Sequence, residues 1–279
     1  MSEQKGILID VKSIVENKKI FLKKKVNELK RNGIVPKLAV ILANDLDASK
    51  IYVRKKREMC SELGVEEIEY MLDKDTTTEK VLDIINRLND DDSVHGILVQ
   101  LPVFKHLDER KILESISPKK DIDGFHPLNI GKLLMGKPEI VACTPRGIMS
   151  IIESTGVDLT SKTAVVVGRS IIVGKPVSAL LLNKNATVIT CHSKTKNYTK
   201  MADVLVVAAG VPHLITSDMV KKNAIVIDVG INRIDGKIIG DVDTENVLDV
   251  AKYVTPVPGG VGITTVISLL ENLIDMASK

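Results

Sequence analysis

Short apolar runs alternate with longer amphipathic segments along the whole chain. In the first part of the sequence, the runs at residues 38–43, 66–71 and 94–102 have the length and composition of buried strands. The two segments between these runs, residues 49–63 and 78–89, have the spacing of amphipathic helices. This strand–helix alternation predicts a parallel sheet covered by helices.

The alternation loosens between Pro102 and Pro145, where proline, glycine and the acidic DIDG segment predict a crossing between two lobes. Thr144 suits a helix N-cap and Pro145 the first helical position. Beyond them, strands are predicted at residues 163–168, 186–191, 204–210 and 224–230. The Asp235-Gly236 pair predicts a hairpin turn. The apolar segment 264–277 predicts a final helix whose apolar face needs a partner.

Composition narrows the class of protein. The apolar fraction of 44% supports real cores, and the net charge of +3 gives no case for nucleic acid as the main partner. Neither a signal peptide nor a membrane span is predicted, so we expect a cytoplasmic protein with no membrane partner. Three scattered cysteines and five histidines show no ligand spacing, so no metal site is predicted.

The segment VVVGRSIIVGKP is the strongest candidate for a nucleotide loop. Five residues separate Gly168 from Gly174, and Pro176 occupies the place of the hydroxyl residue of a phosphate-binding P-loop. Ser170 replaces the second glycine of the dinucleotide fingerprint. The context of strand, glycine-rich loop and helix still predicts a dinucleotide site, with free N–H groups at the helix N-terminus facing a pyrophosphate.

The end of the next strand indicates which dinucleotide binds. A site that prefers NAD places Asp or Glu there, whereas the segment ITCHSKT offers His192 and Ser193 and no carboxylate. Arg169 in the loop could pair with a 2′-phosphate, so we predict NADP as the cofactor. The alternative is that Arg169 is an ordinary surface arginine.

Polar residues in the first lobe could carry acid–base chemistry. Tyr52 and Lys56 are four residues apart and share one helix face, and Gln100 ends a predicted strand. Either Asp121 or Asp123 could accept hydrogen bonds from an aminopyrimidine. Spacing alone favours a solvated charge for Lys56 and an ordinary Asp-Gly turn for the DIDG segment. For Gln100 it equally allows a strand-end amide without a role.

Taken in order, several motifs carry a resemblance to a known family. They are ASKIYVRKK, GILVQLP, KKDIDGFHP, CTPRG, VVVGRSIIVGKP, ATVITCHSKT, ADVLVVAAGVP, IDVGIN, GDV and TPVPGGVG. From about Ala48 to the last helix, the chain resembles the bifunctional methylenetetrahydrofolate dehydrogenase/methenyltetrahydrofolate cyclohydrolase family. The resemblance implies NADP-dependent oxidation of 5,10-methylenetetrahydrofolate, and then hydrolysis to 10-formyltetrahydrofolate.

The resemblance also implies a two-lobed α/β fold with a cleft between the lobes. A folate-side domain would span residues 1–120, with helix 263–279 packed back on it. A Rossmann-like NADP-binding domain with a parallel sheet would span residues 140–262. Family members commonly form homodimers through the cofactor lobe, so a homodimer is expected here.

The matching positions give the expected site residues. Lys56 would be the acid/base of hydrolysis, Tyr52 would orient the folate, Gln100 would hold Lys56 and Asp123 would anchor the pterin. The folate would also contact Val99, Leu101, Pro258 and Gly259. The cofactor contacts implied are Gly168, Arg169, Ser170, Val173, Gly174, Ser193 and Ile231.

Two rival functions remain open at this point. They are a dehydrogenase without hydrolytic activity, which the presence of Lys56 argues against, and a non-catalytic NADP-binding regulator, which the first-lobe residues argue against. The chain also departs from the family pattern at Ala43, Ala142, Ile263 and Thr264. The departures at 263 and 264 are the closest to the expected folate site.

Overall fold

The computed structural model describes residues 5–195 and 198–279, apart from the side chain of Ala48. This part of the chain divides into two compact units. The three-stranded unit comprises Asn17–Cys143 and Val266–Lys279, and the six-stranded unit comprises residues 5–16 and Thr144–Thr265. The chain passes from one unit to the other within its first helix, after Cys143 and within its last helix.

The three-stranded unit is a parallel sheet flanked by helices. Its strands are β2 (Lys37–Leu42), β3 (Glu66–Met71) and β4 (Gly96–Gln100), in the order β3-β2-β4. The central strand is almost completely buried because helices cover both faces of a parallel sheet. The helices of this part of the chain are α1 (Val11–Arg31), α2 (Asp47–Leu63), α3 (Thr78–Asp90), α4 (Glu109–Ser115) and α5 (Pro127–Leu134).

Local sequence explains the bounds of these helices. The Thr77 hydroxyl accepts a hydrogen bond from the Lys80 N–H at the start of α3. Gly64 ends α2 in the left-handed conformation, with its N–H bound to the Ser61 carbonyl. The apolar face of α3 packs in a core with β2 and β4.

The six-stranded unit is a larger parallel sheet with strand order β1-β11-β8-β7-β5-β6. Its strands are β1 (Ile7–Leu8), β5 (Thr163–Val167), β6 (Thr187–Cys191), β7 (Val204–Val207), β8 (Ile225–Asp228) and β11 (Tyr253–Val254). Its helices are α6 (Cys143–Ser154), α7 (Gly174–Asn183) and α8 (Thr244–Val247), and the last helix, α9 (Val261–Ala277), begins in it. One core contains α6 and α7, and the opposite face of the sheet buries a second apolar cluster.

A short hairpin of β9 (Asn232–Ile234) and β10 (Lys237–Ile239) stands apart from this sheet. Asp235 and Gly236 both have positive φ, at 49° and 76°. This is the primed turn that the Asp-Gly pair predicts. The hairpin predicted from the sequence is therefore present in the structure.

The α/β fold with parallel sheets and two domains is confirmed. The units nevertheless differ from the predicted boundaries at the N-terminus, because residues 5–16 belong with the six-stranded unit. There β1 pairs with β11, and neither two-residue strand was predicted. A strand of two residues has no measurable alternation, so periodicity cannot detect it. The cleft between the domains stays a prediction.

Candidate active site

Helix α2 carries Tyr52 and Lys56 with different exposure. Lys56 is only 9% exposed and lies on the buried face with Val53 and Cys60, whereas the neighbouring Lys55 is exposed. Tyr52, one turn earlier, is 47% exposed. The interpretation of Lys56 as a solvated charge, which spacing alone favoured, is therefore wrong.

The buried amine of Lys56 has a neutral partner. Its Nζ donates to Gln100 Oε1 over 2.9 Å, and Gln100 Nε2 donates to the Leu101 carbonyl over 2.9 Å. The second bond fixes which end of the amide faces the lysine. Since Gln100 is the last residue of β4, the sheet edge sets the position of the amine. The Asn44 Nδ2 supports this edge by donating to the Pro102 carbonyl over 2.6 Å.

The two aspartates of the DIDG turn have different roles. The Asp121 carboxylate accepts from the backbone N–H groups of Phe125 and His126, at 3.3 and 2.8 Å, and from Asn129 Nδ2 at 2.8 Å. It is 3% exposed, and its acceptor positions serve the turn itself. Asp121 is thus a structural residue, which leaves Asp123 as the candidate for a substrate contact.

Asp123 lies close enough to Lys56 to interact with its charge. Burial raises the pKa of the Asp123 carboxyl to about 6, and the positive charge of Lys56 opposes that rise in pKa. The thiol of Cys143 lies 3.7 Å from Asp123 Oδ1 and donates to it weakly. An amine, an amide and a carboxyl group of perturbed pKa therefore lie in one region, which is a combination typical of acid–base sites.

Two residues of this region were not predicted from the sequence. They are Cys143 and Asn272, and Asn272 is fully buried in α9. Its Nδ2 donates to the carbonyls of Ile122 and Val141, at 2.7 and 2.8 Å, so it fixes the turn just before Asp123. The only signal in the sequence was an asparagine within the apolar stretch near the end of a predominantly apolar helix.

The other predicted folate contacts fall in different places. Val99 is buried in β4 and Leu101 is partly buried after it, so both lie beside Gln100. Pro258 and Gly259 lie in the turn before α9 and belong to the six-stranded unit. Six of the eight predicted folate contacts thus belong to the three-stranded unit, and their contact with folate stays a prediction.

The glycine-rich loop after β5 is closely packed. Gly168 has φ of 129°, and a Cβ there would lie 2.3 Å from the Ala208 carbonyl oxygen. A Cβ at Gly174 would lie 2.2 Å from the Gly168 carbonyl oxygen. Both positions thus require glycine, because only glycine allows the backbones of strand, loop and helix to approach so closely.

The first turn of α7 differs from the expectation of free N–H groups. The Ser170 hydroxyl accepts from the N–H groups of Val173 and Gly174, at 3.1 and 3.3 Å. The Ser170 carbonyl accepts from the Lys175 N–H over 3.0 Å. Ser170 therefore caps the helix, and this part of its N-terminus is already hydrogen-bonded within the chain.

A cavity of about 530 Å³ opens beside this loop in the six-stranded unit. Gly168, Arg169 and Ser193 contribute to its lining, together with residues that follow β6 and β7. Its wall is mainly apolar, and Arg169 and the hydroxyl of Ser193 contribute the polar groups that were predicted for a phosphate. Its volume lies in the range usual for cavities that bind small molecules. Ser170, Val173, Gly174 and Ile231 are not among the lining residues of this cavity.

Both halves of the chain match models of one family. Residues 9–123 match the tetrahydrofolate dehydrogenase/cyclohydrolase catalytic domain, and residues 142–279 match the NAD(P)-binding domain of the same family. A relative from Bacillus cytotoxicus, the "Bifunctional protein FolD", is 51% identical over 98% of this chain and 97% of its own length. A relative of the same name from Exiguobacterium sibiricum is 50% identical over 98% of this chain and 99% of its own length.

Solved structures agree with these matches. The bifunctional FolD enzyme of Campylobacter jejuni is 49% identical and superimposes with a TM-score of 0.95, with 98% of each chain covered. The enzyme of Trypanosoma brucei, solved with NADP and an inhibitor, is 35% identical with a TM-score of 0.92, covering 99% of this chain and 98% of its own. The predicted family and the predicted type of cofactor are thus confirmed.

The role of Asn272 in fixing the turn before Asp123 can be tested by stability. Asn272→Leu keeps the side-chain volume but removes the amide donor of both carbonyls, so that Ile122 keeps only the weak Cys143 thiol donor, at 3.4 Å. A buried carbonyl that loses its partner costs about 1–3 kcal/mol. We expect the free energy of unfolding, measured by urea titration, to fall by about 2–4 kcal/mol. Asn27→Leu on the exposed face of α1 is the control and should leave it nearly unchanged. Equal stability of both variants would contradict this role.

Proposed function

The chain belongs to the tetrahydrofolate dehydrogenase/cyclohydrolase family, and we propose how its residues divide the two reactions between them. The three-stranded unit binds the folate and provides the acid–base group of hydrolysis, and the six-stranded unit binds NADP. The observation that carries the proposal is the buried Lys56 amine, bonded to Gln100 and close to the charge of Asp123.

In the dehydrogenase step, bound NADP supplies the acceptor for a hydride from 5,10-methylenetetrahydrofolate. The protein's part in this step is to hold the folate, and no proton has to move. Asp123 accepts hydrogen bonds from the aminopyrimidine end of the pterin, and the exposed ring of Tyr52 packs against the folate. This accounts for a dehydrogenase site without a base dedicated to hydride transfer.

In the cyclohydrolase step, water attacks the methenyl carbon of 5,10-methenyltetrahydrofolate. The Lys56 amine takes a proton from this water and returns a proton to N5 as the bond from carbon to N5 breaks. The hydroxyl left on the carbon releases its remaining proton to solvent, which leaves the formyl group on N10. Gln100 keeps the amine directed at the reacting carbon. A dehydrogenase without hydrolytic activity would have no use for this arrangement.

The preference for NADP over NAD rests on the polar groups of the cavity. Arg169 and Ser193 both line it, and the turn after β6 presents no carboxylate to repel a 2′-phosphate. The turn is ordered locally, because the Thr195 hydroxyl accepts from the His192 N–H over 3.0 Å. We assign the 2′-phosphate to Arg169 and Ser193.

We also propose a homodimer formed through the six-stranded unit and a cytoplasmic location. Strand β6 is an edge of the six-stranded sheet, and an unpaired edge can pair with another chain. The three cysteines of the chain are buried and free, as is usual in a reducing compartment. No described helix is long and apolar enough to cross a membrane. Sedimentation velocity tests the dimer, which a monomer at micromolar concentration would exclude.

Removal of the Lys56 amine should separate the two activities. We expect Lys56→Ala to lower the rate of methenyltetrahydrofolate hydrolysis about 100-fold or more, because proton transfer loses its carrier, while part of the hydride transfer persists. The decay of methenyl absorbance measures the first activity and NADPH formation the second. Lys55→Ala, on the exposed side of the same helix, is the matched control and should keep both. Full hydrolysis by Lys56→Ala would remove this lysine from the mechanism.

The raised pKa of Asp123 predicts how folate binding depends on pH. Since this pKa is about 6 in the folded protein, the carboxylate is lost as pH falls below 6, and the KM for methylenetetrahydrofolate should rise there. Asp123→Asn should have a higher KM that no longer changes across this window. The same shift favours folding while the group is protonated, and this contribution to stability is lost as pH rises through about 6. A KM of the wild type that is constant from pH 5 to pH 8 would contradict the assignment.

Replacement of Arg169 should distinguish the two dinucleotides. Arg169→Ala should weaken NADP binding about tenfold or more, because a charge-assisted hydrogen bond to the 2′-phosphate is lost, and it should weaken NAD binding little. Titration calorimetry measures both dissociation constants. Lys162→Ala, which removes an exposed cation next to the first residue of β5, is the control. An equal loss of affinity for NADP and NAD would exclude Arg169 from the phosphate site.

A further inference from the structure

We propose that Asp241 is a positioning residue for NADP binding, because its buried carboxylate ties the segment after β7 to the segment after β8. The inference rests on the NADP site proposed above. Asp241 itself does not line the cavity, and it acts through the backbone of residues that do. Nothing in its local sequence, GDVD, indicated such a role.

The contacts of Asp241 reach two separate segments of chain. Its Oδ2 accepts from the N–H groups of Ala209 and Gly210, at 2.7 and 2.8 Å, just after β7. Its Oδ1 accepts from Asn232 Nδ2 over 2.8 Å, at the start of β9. Asp241 has no exposed surface, so these bonds are shielded from water and from salt.

The first segment forms part of the cavity wall. Ala208, Ala209 and Val211 line the cavity, as does Gly168 in the dinucleotide loop. Gly168 packs against the Ala208 carbonyl so closely that a Cβ would lie 2.3 Å from that oxygen. A shift of residues 208–211 would therefore move both the wall and the loop that packs against it.

The second segment is held against the same carboxylate. A Cβ at Gly230 would lie 2.3 Å from Asp241 Oδ1, so the backbone before Ile231 is in close contact with the side chain. Ile231, a predicted cofactor contact, lies between Gly230 and the hydrogen-bonded Asn232. The same carboxylate thus sets the position of a second element expected at the cofactor.

A second buried carboxylate fixes the backbone of Asp241. Asp228 Oδ1 accepts from the N–H groups of Gly230 and Asp241, at 2.9 and 3.0 Å. Its Oδ2 accepts from the Val242 N–H over 2.9 Å. The side chain of Asp241 therefore projects from a backbone that is itself held at the end of β8.

Replacement of Asp241 by asparagine would break this arrangement with almost no change of shape. An amide has only one acceptor oxygen. If that oxygen faces the N–H groups of Ala209 and Gly210, the amide nitrogen faces Asn232 Nδ2, which is a donor. If the amide is turned around, its nitrogen faces the two backbone N–H donors instead. In the second orientation a donor faces two donors, and in the first the clash is relieved only if Asn232 turns its own amide and gives up its bond to the Ile239 carbonyl. Either way, the hold on one of the two segments is weakened.

The test measures NADP binding in the full-length protein. We expect Asp241→Asn to raise the dissociation constant of NADP, measured by titration calorimetry, roughly 10- to 100-fold, as the loss of hydrogen bonds to a charged group implies. The rate of methenyltetrahydrofolate hydrolysis should stay near that of the wild type, because this step uses no dinucleotide. At saturating NADP the dehydrogenase kcat should largely recover, so the defect is in KM. Asp243→Asn, two residues along, is the matched control and should bind NADP normally.

Two results would overturn the proposal. One is an unchanged dissociation constant in folded Asp241→Asn, and the other is a parallel loss of hydrolysis and of NADP binding, which indicates only a damaged fold. If Asp241→Asn does not fold, Asn232→Ala decides, since it removes one donor and should weaken NADP binding at unchanged hydrolysis. Unchanged NADP binding by that variant would overturn the proposal. The wild type is measured in parallel, and its failure to bind NADP would count against the proposed function instead.

Discussion

The hydrogen bond between the buried Lys56 amine and Gln100 is the constraint on which the chemistry of the three-stranded unit depends. A lysine that is 9% exposed needs a partner, since an unpaired buried amine would be costly. The amide oxygen of Gln100 is that partner, at 2.9 Å from the amine. In the mechanism proposed above, the strand that carries Gln100 and the helix that carries Lys56 therefore have to keep their relative positions during hydrolysis.

Buried carboxylates organise the loops of both units in the same manner. Asp121 binds two backbone N–H groups and an asparagine, and Asp241 binds two backbone N–H groups and an asparagine as well. In each case the carboxylate accepts three hydrogen bonds from within the chain, and the ligand contacts proposed above belong to neighbouring residues. Charged acceptors are suited to this role because they bind several N–H groups more strongly than a neutral oxygen does.

The sequence predicted the strands and helices well because most of them are long enough to show their period. It also predicted the pair Lys56 and Gln100 through the family resemblance, although spacing alone favoured a solvated lysine. Burial decides between these interpretations, and burial depends on how α2 packs on the sheet, which periodicity does not give. The division of roles between Asp121 and Asp123 was left open for the same reason, since only the hydrogen bonds of the folded turn distinguish them.

Residues that act through the backbone escaped prediction altogether. Asn272 lies 149 positions from Asp123 in the sequence, and Asp241 binds N–H groups 31 and 32 positions away. Ser170 was predicted as a cofactor contact, which stays a prediction, but the bonds from its hydroxyl to the N–H groups of Val173 and Gly174 were not predicted. A sequence motif indicates which residue type is needed at a position. It does not indicate whether that side chain contacts a ligand or forms hydrogen bonds within the protein. For a bifunctional enzyme this distinction matters, because a residue that holds a loop of one unit can affect one activity without touching either substrate.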